Sequence, residues 1–529
     1  MVLPGNLEAV HLDREFVRAV SKVRVRAEDQ VSIASTFEDP GTILALSNAN
    51  SQVIFGRRGT GKTHLFRYLS HSLAQPGEMT LYIDALTLGS STDIRSNRGV
   101  DAGDGALWIF RDLLARVHDR VLDHSIDIAA ASEDAVLELC EQMLECIYSR
   151  TRTIDTEEVS RTESESHLGI GTVDLGIGTA SSSAGYGSHK ETSEALERTT
   201  ASVGKISEAV DFAGLSVTMD RLLEAVGGSR LYILIDEWQE IPPDVQPVLA
   251  EYLKRSFRAS KNVTLKIAAV RHRAQFLEGR APRSFGLELG ADIATTQDLD
   301  DYYLLDRARG EVLAQYLSVL HRHLSASAYP GVRVSSNAAQ FESDIFEDGA
   351  FGELAAAAGG VVRDLIAVFG HAVGAWHRDA SSRRRHRIDQ QLVRRAAADW
   401  FERDKLGVLD QATRDVVSVV EDAVLTRMGS RFFVVPADGP GPGLLAGLVD
   451  ARVIHRLYPA HRFQGYPGRY SVYTLDYGSY VTALAPARGV GSTQLGDPQS
   501  KSVMRSLEEI TDPTTVTLDD RVLERLRMR

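Results

Sequence analysis

Apolar residues in the first half of the chain form short strand patterns that alternate with helical ones. Apolar runs predict strands at residues 52–55, 80–83, 231–235 and 263–270, with a further strand pattern near 285–293. Between them, apolar residues at three-and-four spacing predict helices at 63–72, 107–122, 135–148 and 219–226. Strands that alternate with helices favour a parallel sheet covered on both faces. We therefore expect an α/β fold.

The second half of the chain has a different pattern. Beyond about Leu299 the periodicity is mostly helical as far as Phe401, which indicates a small helical lid. From 411 to 485 a helix precedes an apolar run at 432–435, a helix at 444–457 and two strand-like runs around the turn Tyr466-Pro467-Gly468. This order is typical of a winged-helix module.

The composition changes sharply between residues 151 and 200, where Ser, Thr, Gly and Glu dominate and Leu168-Gly169-Ile170-Gly171-Thr172 recurs as Leu175-Gly176-Ile177-Gly178-Thr179. Such a glycine-dense run forms helices and core strands poorly, so we predict an insertion, either a flexible loop or an exposed hairpin. The 529 residues favour several domains. We predict a lead-in at 1–50, a sheet domain at 51–298 that carries the insertion, a lid at 299–405, a winged-helix-like domain at 411–485 and a tail at 486–529.

Bulk composition excludes several classes of protein. Hydrophobic residues make up 43% and charged residues 25% of the chain, the balance of a soluble globular protein. The net charge of -13 argues against a wholly basic nucleic-acid binder, although a local basic face remains possible. Cys140 and Cys146 alone build neither a disulfide framework nor a closed zinc site. Without a membrane-spanning apolar stretch or the apolar core of a signal peptide, we expect a cytoplasmic protein with no membrane partner.

One loop carries the strongest chemical signal. The sequence Gly56-Arg57-Arg58-Gly59-Thr60-Gly61-Lys62-Thr63 matches the phosphate-loop pattern G-x-x-x-x-G-K-[ST], directly after a predicted strand and at the start of a helix. Glycines let backbone N–H groups turn towards phosphates, and the helix N-terminus adds partial positive charge. We predict ATP bound by this loop together with His64, Lys62 on the β- and γ-phosphates, and the Thr63 hydroxyl on Mg²⁺. A glycine-rich turn with a chance lysine is the alternative.

A second segment supplies acids. The apolar strand at 231–235 ends in Asp236-Glu237, at the end of a parallel strand where ligands bind. We predict that Asp236 holds Mg²⁺ through water and that Glu237 polarises the water that attacks the γ-phosphate. An acidic strand cap without a chemical role is the alternative.

Arginines are the third group of candidates. Arg271 follows the strand at 264–270, which should lie beside the Asp236 strand, so Arg271 is a candidate γ-phosphate sensor or else a surface arginine. Arg280 and Arg283 follow on the next segment, where an arginine can reach a neighbouring subunit's site. Arg363 opens a lid helix after Gly359-Gly360 and is a candidate second sensor, or a solvated residue paired with Asp364.

Together these segments resemble AAA+ ATPases, in particular the bacterial ATPases related to the origin-recognition-complex clade. The resemblance rests on the phosphate loop with His64, on Ile235-Asp236-Glu237-Trp238 with Ile241-Pro242, on Leu287-Glu288-Leu289-Gly290-Ala291-Asp292, and on Tyr473-Thr474-Leu475-Asp476-Tyr477-Gly478. It implies an ATPase domain, a lid with a sensor arginine, and a winged helix that contacts DNA in the origin-recognition relatives. Two departures exist: Arg271 stands where many AAA+ proteins place Asn or Thr, which is more like the signal-transducing STAND ATPases, and the insertion is not part of the common core.

Two functions therefore remain open. The first is an ATP-driven homo-oligomer that acts on DNA through 411–485, an interpretation that the basic run Arg383-Arg384-Arg385-His386-Arg387 supports unless it is merely a solvated face. The second is a nucleotide-gated switch in defence or signalling that controls assembly and a protein partner. The segment 444–456 is more apolar than a helix that reads a major groove, so packing against protein is the alternative for it.

Overall fold

The strands and helices occupy most of the chain that the structure describes. This computed structural model describes residues 14–23, 30–75, 77–88, 94, 99–127, 133–148, 150–152, 206–208, 210–279, 284–305, 309–327, 334–335, 337–378, 386–484 and 507–527. The strands are β1 (Gln52–Phe55), β2 (Glu78–Asp84), β3 (Arg150–Arg152), β4 (Ile206–Glu208), β5 (Arg230–Asp236), β6 (Val263–Ala269), β7 (Leu277–Glu278), β8 (Phe285–Gly286), β9 (Thr295–Asp298), β10 (Phe432–Pro436), β11 (Ile454–His461) and β12 (Tyr470–Leu475).

The helices fall into an N-terminal and a C-terminal set. The first set is α1 (Arg14–Lys22), α2 (Gln30–Thr36), α3 (Ile43–Leu46), α4 (Lys62–Ser72), α5 (Ala102–Asp127), α6 (Glu133–Ile147), α7 (Phe212–Ala225) and α8 (Gln246–Phe257). The second set is α9 (Asp300–Tyr303), α10 (Arg309–Ser327), α11 (Ala338–Ile345), α12 (Ala350–Ala358), α13 (Val362–Arg378), α14 (Gln390–Trp400), α15 (Gln411–Glu421), α16 (Gly441–Asp450), α17 (Tyr477–Leu484) and α18 (Asp520–Arg527). Helices α14 and α15 each continue into a π-helical turn, Phe401–Leu406 and Asp422–Arg427.

A five-stranded parallel sheet forms the centre of the N-terminal half, with the strand order β2-β5-β6-β1-β9. Alternate residues of β5 face opposite layers: Leu231 and Ile233 join the core under α5, α6, α7 and α8, whereas Tyr232 and Leu234 join the core under α4. Because both faces are covered, the central strand β5 is a continuous apolar run from Leu231 to Ile235 rather than an alternating pattern. The predicted α/β P-loop fold is confirmed, and β6 lies beside the Asp236 strand as expected.

Two predicted elements were wrong. The strand pattern near 285–293 gives only the two-residue β8 and an isolated bridge between Leu289 and Ile293, while the fifth sheet strand is β9. This strand, Thr-Thr-Gln-Asp, lies at the sheet edge, where half-exposed polar residues are tolerated and the apolar pattern disappears. The predicted helix 444–457 ends at Asp450, because the chain reverses at Arg452 (φ 61°) and continues as β11.

The lid and the C-terminal domain share a single hydrophobic core. In it, α12, α13 and α14 pack with α15, α16 and the antiparallel sheet β10-β12-β11. The winged-helix interpretation of this domain stays a prediction. Phe16 of α1 and Leu526 of α18 belong to the same core. The predicted boundary between the lid and the next domain therefore falls inside one packed unit, to which parts of the lead-in and of the tail contribute.

Most of the predicted insertion lies outside the described residues. Its flanks, β3 and β4, pair in antiparallel fashion, so the chain leaves and re-enters the domain at neighbouring positions. Cys140 and Cys146 are free thiols. Within the described ranges, none of the helices has the length and apolar character needed to cross a membrane.

A fully buried lysine holds the segment that leads into the phosphate-loop strand. The ammonium group of Lys266 in β6 donates to the backbone oxygens of Asn48 (2.9 Å) and Asn50 (2.8 Å) and contacts the side-chain oxygen of Gln52. Gln52 in turn donates to Thr295 of β9 at 2.7 Å. The turn before β1 is thus fixed from the two neighbouring strands.

We predict that Lys266→Met destabilises the sheet domain. The substitution keeps the apolar stem but removes the donor of the buried Gln52 side-chain oxygen and of the part-buried carbonyls of Asn48 and Asn50. Unsatisfied buried groups cost about 1–3 kcal/mol each. Urea unfolding should show a loss of about 2–4 kcal/mol on that basis. The exposed Lys261→Met is the matched control, and surface changes of this kind stay within about 0.5 kcal/mol. Equal stabilities for the two variants would contradict the assignment.

Candidate functional site

The phosphate loop joins β1 to α4 and has the backbone that its glycines allow. Gly59 and Gly61 adopt φ angles of 90° and 99°, which residues with a side chain rarely adopt. Lys62 is buried, and its ammonium group donates to the backbone oxygens of Gly56 (2.8 Å) and Arg57 (3.1 Å). Burial lowers the pKa of Lys62, an effect that the nearby carboxylates of Glu237 and Asp236 oppose. The lysine is therefore held inside the loop, close to both acids.

The two predicted acids lie at the carboxyl end of β5. Asp236 is fully buried and accepts hydrogen bonds from the Tyr82 hydroxyl (3.0 Å) and from the backbone N–H of Glu237 (2.8 Å). Glu237 has a φ of 55°, a left-handed backbone conformation that ends the line of the strand. Burial, and then the charge of Asp236, raise the pKa of Glu237. A carboxylate of raised basicity suits a group that takes a proton from water.

Gln239 is a site residue that the sequence did not indicate. Its side-chain amide donates to the carboxylate of Glu237, and its amide oxygen accepts from the backbone N–H of Val270 at 3.0 Å. Gln239 thereby fixes Glu237 relative to the end of β6. Only its position two residues after Glu237 could have indicated this, and a lone glutamine carries no chemical signal.

The described sensor candidates lie on two sides of this edge. Arg271 follows β6, stacks over the Phe55 ring at 4.0 Å and pairs with Asp298 of β9 at 3.1 Å. The backbone N–H of Arg363, at the start of α13, donates to Gly59 at 3.0 Å. A Cβ atom at Gly59 would lie 2.8 Å from that of Arg363, so the lid helix directly abuts the loop. Arg280 and Arg283 fall outside the described residues.

Two further loop residues have their side chains engaged elsewhere. The His64 ring lies 3.1 Å from the Thr36 hydroxyl and packs edge-on against Phe37 and His323. Burial, then His323, lower the pKa of His64 to about 4, so the ring is neutral at pH 7. Arg58 pairs with Glu240 at 2.6 Å. A contact of His64 with phosphate would therefore come from its backbone N–H.

Arg57 is the loop residue whose placement departs most from expectation. Its side chain is 4% exposed and turns away from the loop towards three groups. Its guanidinium lies 3.2 Å from the Asp300 carboxylate, donates to the backbone oxygen of Gly359 in the lid at 3.0 Å, and forms a hydrogen bond with the ring of His455 in β11. The predicted nucleotide contact of Arg57 can thus come from its backbone, because its side chain joins the loop to the lid and the C-terminal domain.

The contact with His455 is the first link in a chain of buried charges. His455 lies 2.8 Å from Asp476, which also accepts from Lys405 at 2.6 Å. Lys405 reaches Asp364 at 2.9 Å, next to Arg363, and Asp364 also pairs with Arg452. The network balances three cations against three carboxylates: Arg57, Lys405 and Arg452 against Asp300, Asp364 and Asp476.

A second contact joins the C-terminal domain to the end of β6. Asp450, the last residue of α16, lies 3.1 Å from His272 and pairs with Arg273. Between the two contacts is a cavity of about 240 Å³, lined by Gly56 and Arg271 from the sheet domain and by Arg456 and Tyr473 from the C-terminal domain. The C-terminal domain is therefore seated against the same edge of the sheet as the phosphate loop.

Comparisons with known proteins are consistent with this geometry. Residues 20–79, which include the phosphate loop, match the family model described as ORC-CDC6-like. This match confirms the predicted resemblance over that segment, while the STAND-like features stay a prediction. No curated protein matches the chain.

Three solved structures overlap most of the chain at low similarity. A point variant of RuvB from Thermotoga maritima is 11% identical, with 89% of this chain and 95% of that chain covered and a TM-score of 0.31. Cdc6p of Pyrobaculum aerophilum is 10% identical, with 90% of this chain and 98% of that chain covered and a TM-score of 0.31. Orc1 of Aeropyrum pernix, solved in complex with DNA, is 12% identical, with 89% of this chain and 97% of that chain covered and a TM-score of 0.30. At such values the fold assignment rests on the chain's own strand order and loop.

We predict that acid weakens the fold through His455. Burial lowers the pKa of His455 to about 4, against an ordinary value of 6.5, so between these pH values the unfolded chain binds a proton that the folded chain does not. Stability from this group is complete above pH 6.5 and falls as the pH drops, by about 3 kcal/mol at the lower limit. Urea unfolding at a series of pH values across this range should show that the free energy of unfolding depends less steeply on pH in His455→Gln than in wild type.

The control for the acid experiment is His71→Gln, at the exposed end of α4, which should keep the wild-type slope. If the pH dependence of His455→Gln also equals that of wild type, protonation of a buried neutral His455 does not explain the loss of stability in acid.

Proposed function

We propose that this chain binds ATP with Mg²⁺ at residues 56–63 and hydrolyses it. The observation that carries the proposal is the convergence of Lys62, Asp236 and Glu237 at one edge of the sheet, where each acid is near enough to affect the pKa of the lysine. A phosphate loop alone binds phosphate. A phosphate loop with an acid beside it that can polarise water is the arrangement for hydrolysis.

In the proposed reaction, backbone N–H groups of the loop bind the phosphates and Lys62 exchanges its bonds to Gly56 and Arg57 for phosphate oxygens. The Thr63 hydroxyl and the Asp236 carboxylate are oxygen donors of the kind that Mg²⁺ takes. The ion supplies charge neutralisation of the β- and γ-phosphates. Glu237, oriented by Gln239, accepts the proton of the attacking water.

The arginines have proposed roles on the γ-phosphate side. Arg363 approaches from the lid, which already contacts Gly59 through its backbone. Arg271 would exchange its pairing with Asp298 for the γ-phosphate. We further propose that the active form is a homo-oligomer in which Arg283 reaches the site of a neighbouring subunit, a role of the kind that arginine fingers have in phosphoryl transfer.

For the target on which hydrolysis acts, we propose DNA, with residues 411–485 as the contacting domain. The match of residues 20–79 to the ORC-CDC6-like model supports this choice. Of the basic run 383–387, His386 and Arg387 lie within the described ranges. The alternative, a nucleotide-gated STAND-like switch that acts on a protein partner, is supported by the bonds of Asp450 to His272 and Arg273, because they hold α16 against the sheet domain.

The ATPase proposal predicts different defects for two substitutions. Lys62→Ala should abolish ATP binding, because it removes the buried cation of the loop. Glu237→Gln should keep binding and lower the turnover rate by about 10²–10⁴-fold, the usual contribution of a positioned general base. Fluorescence titration with an ATP analogue and phosphate release measure the two effects separately.

The matched control for Glu237→Gln is Glu240→Gln, which removes a carboxylate from the same turn. Glu240 pairs with Arg58, so we expect this variant to retain most of the turnover. Wild-type turnover in Glu237→Gln would show that another group polarises the water.

The DNA proposal predicts salt-sensitive binding to duplex DNA that depends on ATP. Anisotropy titrations at low ionic strength should show an affinity that falls linearly on logarithmic axes as salt is added, because counterions are released from the phosphates. The nucleotide-free Lys62→Ala protein should show weaker binding. If neither protein binds DNA under any nucleotide condition, the DNA proposal is wrong and the nucleotide-gated switch that acts on a protein partner replaces it.

A further inference from the structure

Arg57 occupies the phosphate loop, yet its side chain contacts the other two domains. We propose that His455 and Asp476 of the C-terminal domain are positioning residues for the phosphate loop, which they hold through Arg57, so that ATP binding and the seating of the C-terminal domain stabilise each other. This inference rests on the proposed ATP binding and names how that site is regulated.

The backbone of Arg57 connects this contact to the nucleotide site. Its carbonyl oxygen accepts from the ammonium group of Lys62 at 3.1 Å and from the hydroxyl of Thr60 at 2.9 Å. The residue that the C-terminal domain holds by its side chain is therefore the residue whose backbone oxygen holds Lys62 until the ammonium group turns to phosphate. A displacement of the Arg57 side chain shifts the acceptor of the phosphate-binding lysine.

The His455 ring connects Arg57 to Asp476 in one fixed arrangement, because only one tautomer of the ring satisfies both neighbours. A guanidinium only donates, so Nδ1 of His455 must accept from Arg57, and a carboxylate only accepts, so Nε2–H must donate to Asp476. Lys405 holds Asp476 in place at 2.6 Å. Burial alone would raise the pKa of Asp476, but Lys405 and His455 hold it at about 2, so the acceptor is ionised.

The His455 ring and the Arg57 guanidinium pack closely against the backbone of the lid at Gly359 and Gly360. A Cβ atom at Gly359 would collide with the His455 ring, and one at Gly360 would collide with the Arg57 guanidinium. Separation of the domains would take the His455 ring and the Gly359 carbonyl away from the Arg57 guanidinium, which would keep Asp300 alone, and would leave Nδ1 of His455 without its donor. Buried polar groups that lose their hydrogen-bond partners cost free energy. The contact is therefore made or broken as a whole, which is what a two-state coupling requires.

The same network reaches the loop from its other side. Asp364 binds Lys405 and Arg452, and its neighbour Arg363 donates its backbone N–H to Gly59. The loop is held at residue 57 by the C-terminal domain and at residue 59 by the lid, and both domains meet at Lys405. A nucleotide that orders the loop favours the seated arrangement, and by linkage the seated arrangement favours the nucleotide.

The test uses the full chain and a double-mutant cycle of Arg57→Ala and His455→Ala. We expect each single variant to raise the dissociation constant of a fluorescent ATP analogue about tenfold, within the range of ordinary coupling between sites. The double variant should match Arg57→Ala rather than multiply the two effects, because the contact that His455→Ala breaks is already lost in Arg57→Ala. In His455→Ala the turnover at saturating ATP should stay within about threefold of wild type, since the chemical groups are intact.

Conservative variants and a control separate positioning from general damage. His455→Gln keeps a donor and an acceptor on the side chain and should recover most of the affinity, and Arg57→Lys keeps the charge if Arg57→Ala fails to fold. Arg394→Ala breaks the Arg394–Glu353 pair at 2.6 Å within the lid, away from the loop, and should leave ATP affinity unchanged.

Hydrogen exchange tests the coupling both without and with nucleotide. Without nucleotide, the amides of residues 56–61 should exchange faster in His455→Ala than in wild type. With ATP, residues 454–475 should gain protection in wild type and lose that response in His455→Ala. Three results would each overturn the proposal. The first is a double variant whose dissociation constant rises by the product of the two single effects. The others are an unchanged exchange rate at 56–61 in His455→Ala and an ATP response at 454–475 that survives this substitution. A wild-type protein that binds no ATP would instead refute the proposed function, and the exchange at 56–61 would still decide the coupling.

Discussion

The buried guanidinium of Arg57 is the constraint on which the arrangement of the three domains depends. A charge that is 4% exposed must be paired, and its partners come from three places: Asp300 after the sheet, Gly359 in the lid and His455 in the C-terminal domain. The loop that is proposed to bind phosphate therefore also contacts both other domains. The lid and the C-terminal domain can satisfy this requirement together because they share one hydrophobic core.

The candidate nucleotide site is built from segments far apart in the chain. Strands β1, β5 and β6 bring the phosphate loop, the acids and Arg271 to one edge of the sheet, as parallel strands do. The C-terminal domain meets that edge at two points, Arg57 and the residues after β6. Its seating is thus tied to both the loop proposed to bind phosphate and the element proposed to sense it.

Features that depend on local sequence were predictable, and features that depend on tertiary pairing were not. The loop 56–63 and the end of β5 carry their chemistry in consecutive residues, and the fold class follows from apolar periodicity. Strand β9 was missed because an edge strand needs no apolar pattern, and the end of α16 because Val453 and Ile454 continue a helical spacing past a turn. Lys405 and His455 were missed because a buried ion network has no spacing rule: its members lie on separate segments, and each alone resembles a surface residue.

The close packing of Gly359 and Gly360 also limits the order in which this sequence can change. Any side chain at 360 meets the Arg57 guanidinium, so a lineage could acquire one only after residue 57 had become shorter, and the same holds for 359 and residue 455. Substitutions harmless in one background would be damaging in another, which is epistasis enforced by geometry. Among distant relatives, a side chain at 360 should therefore accompany a residue shorter than arginine at 57, and one at 359 a residue smaller than histidine at 455.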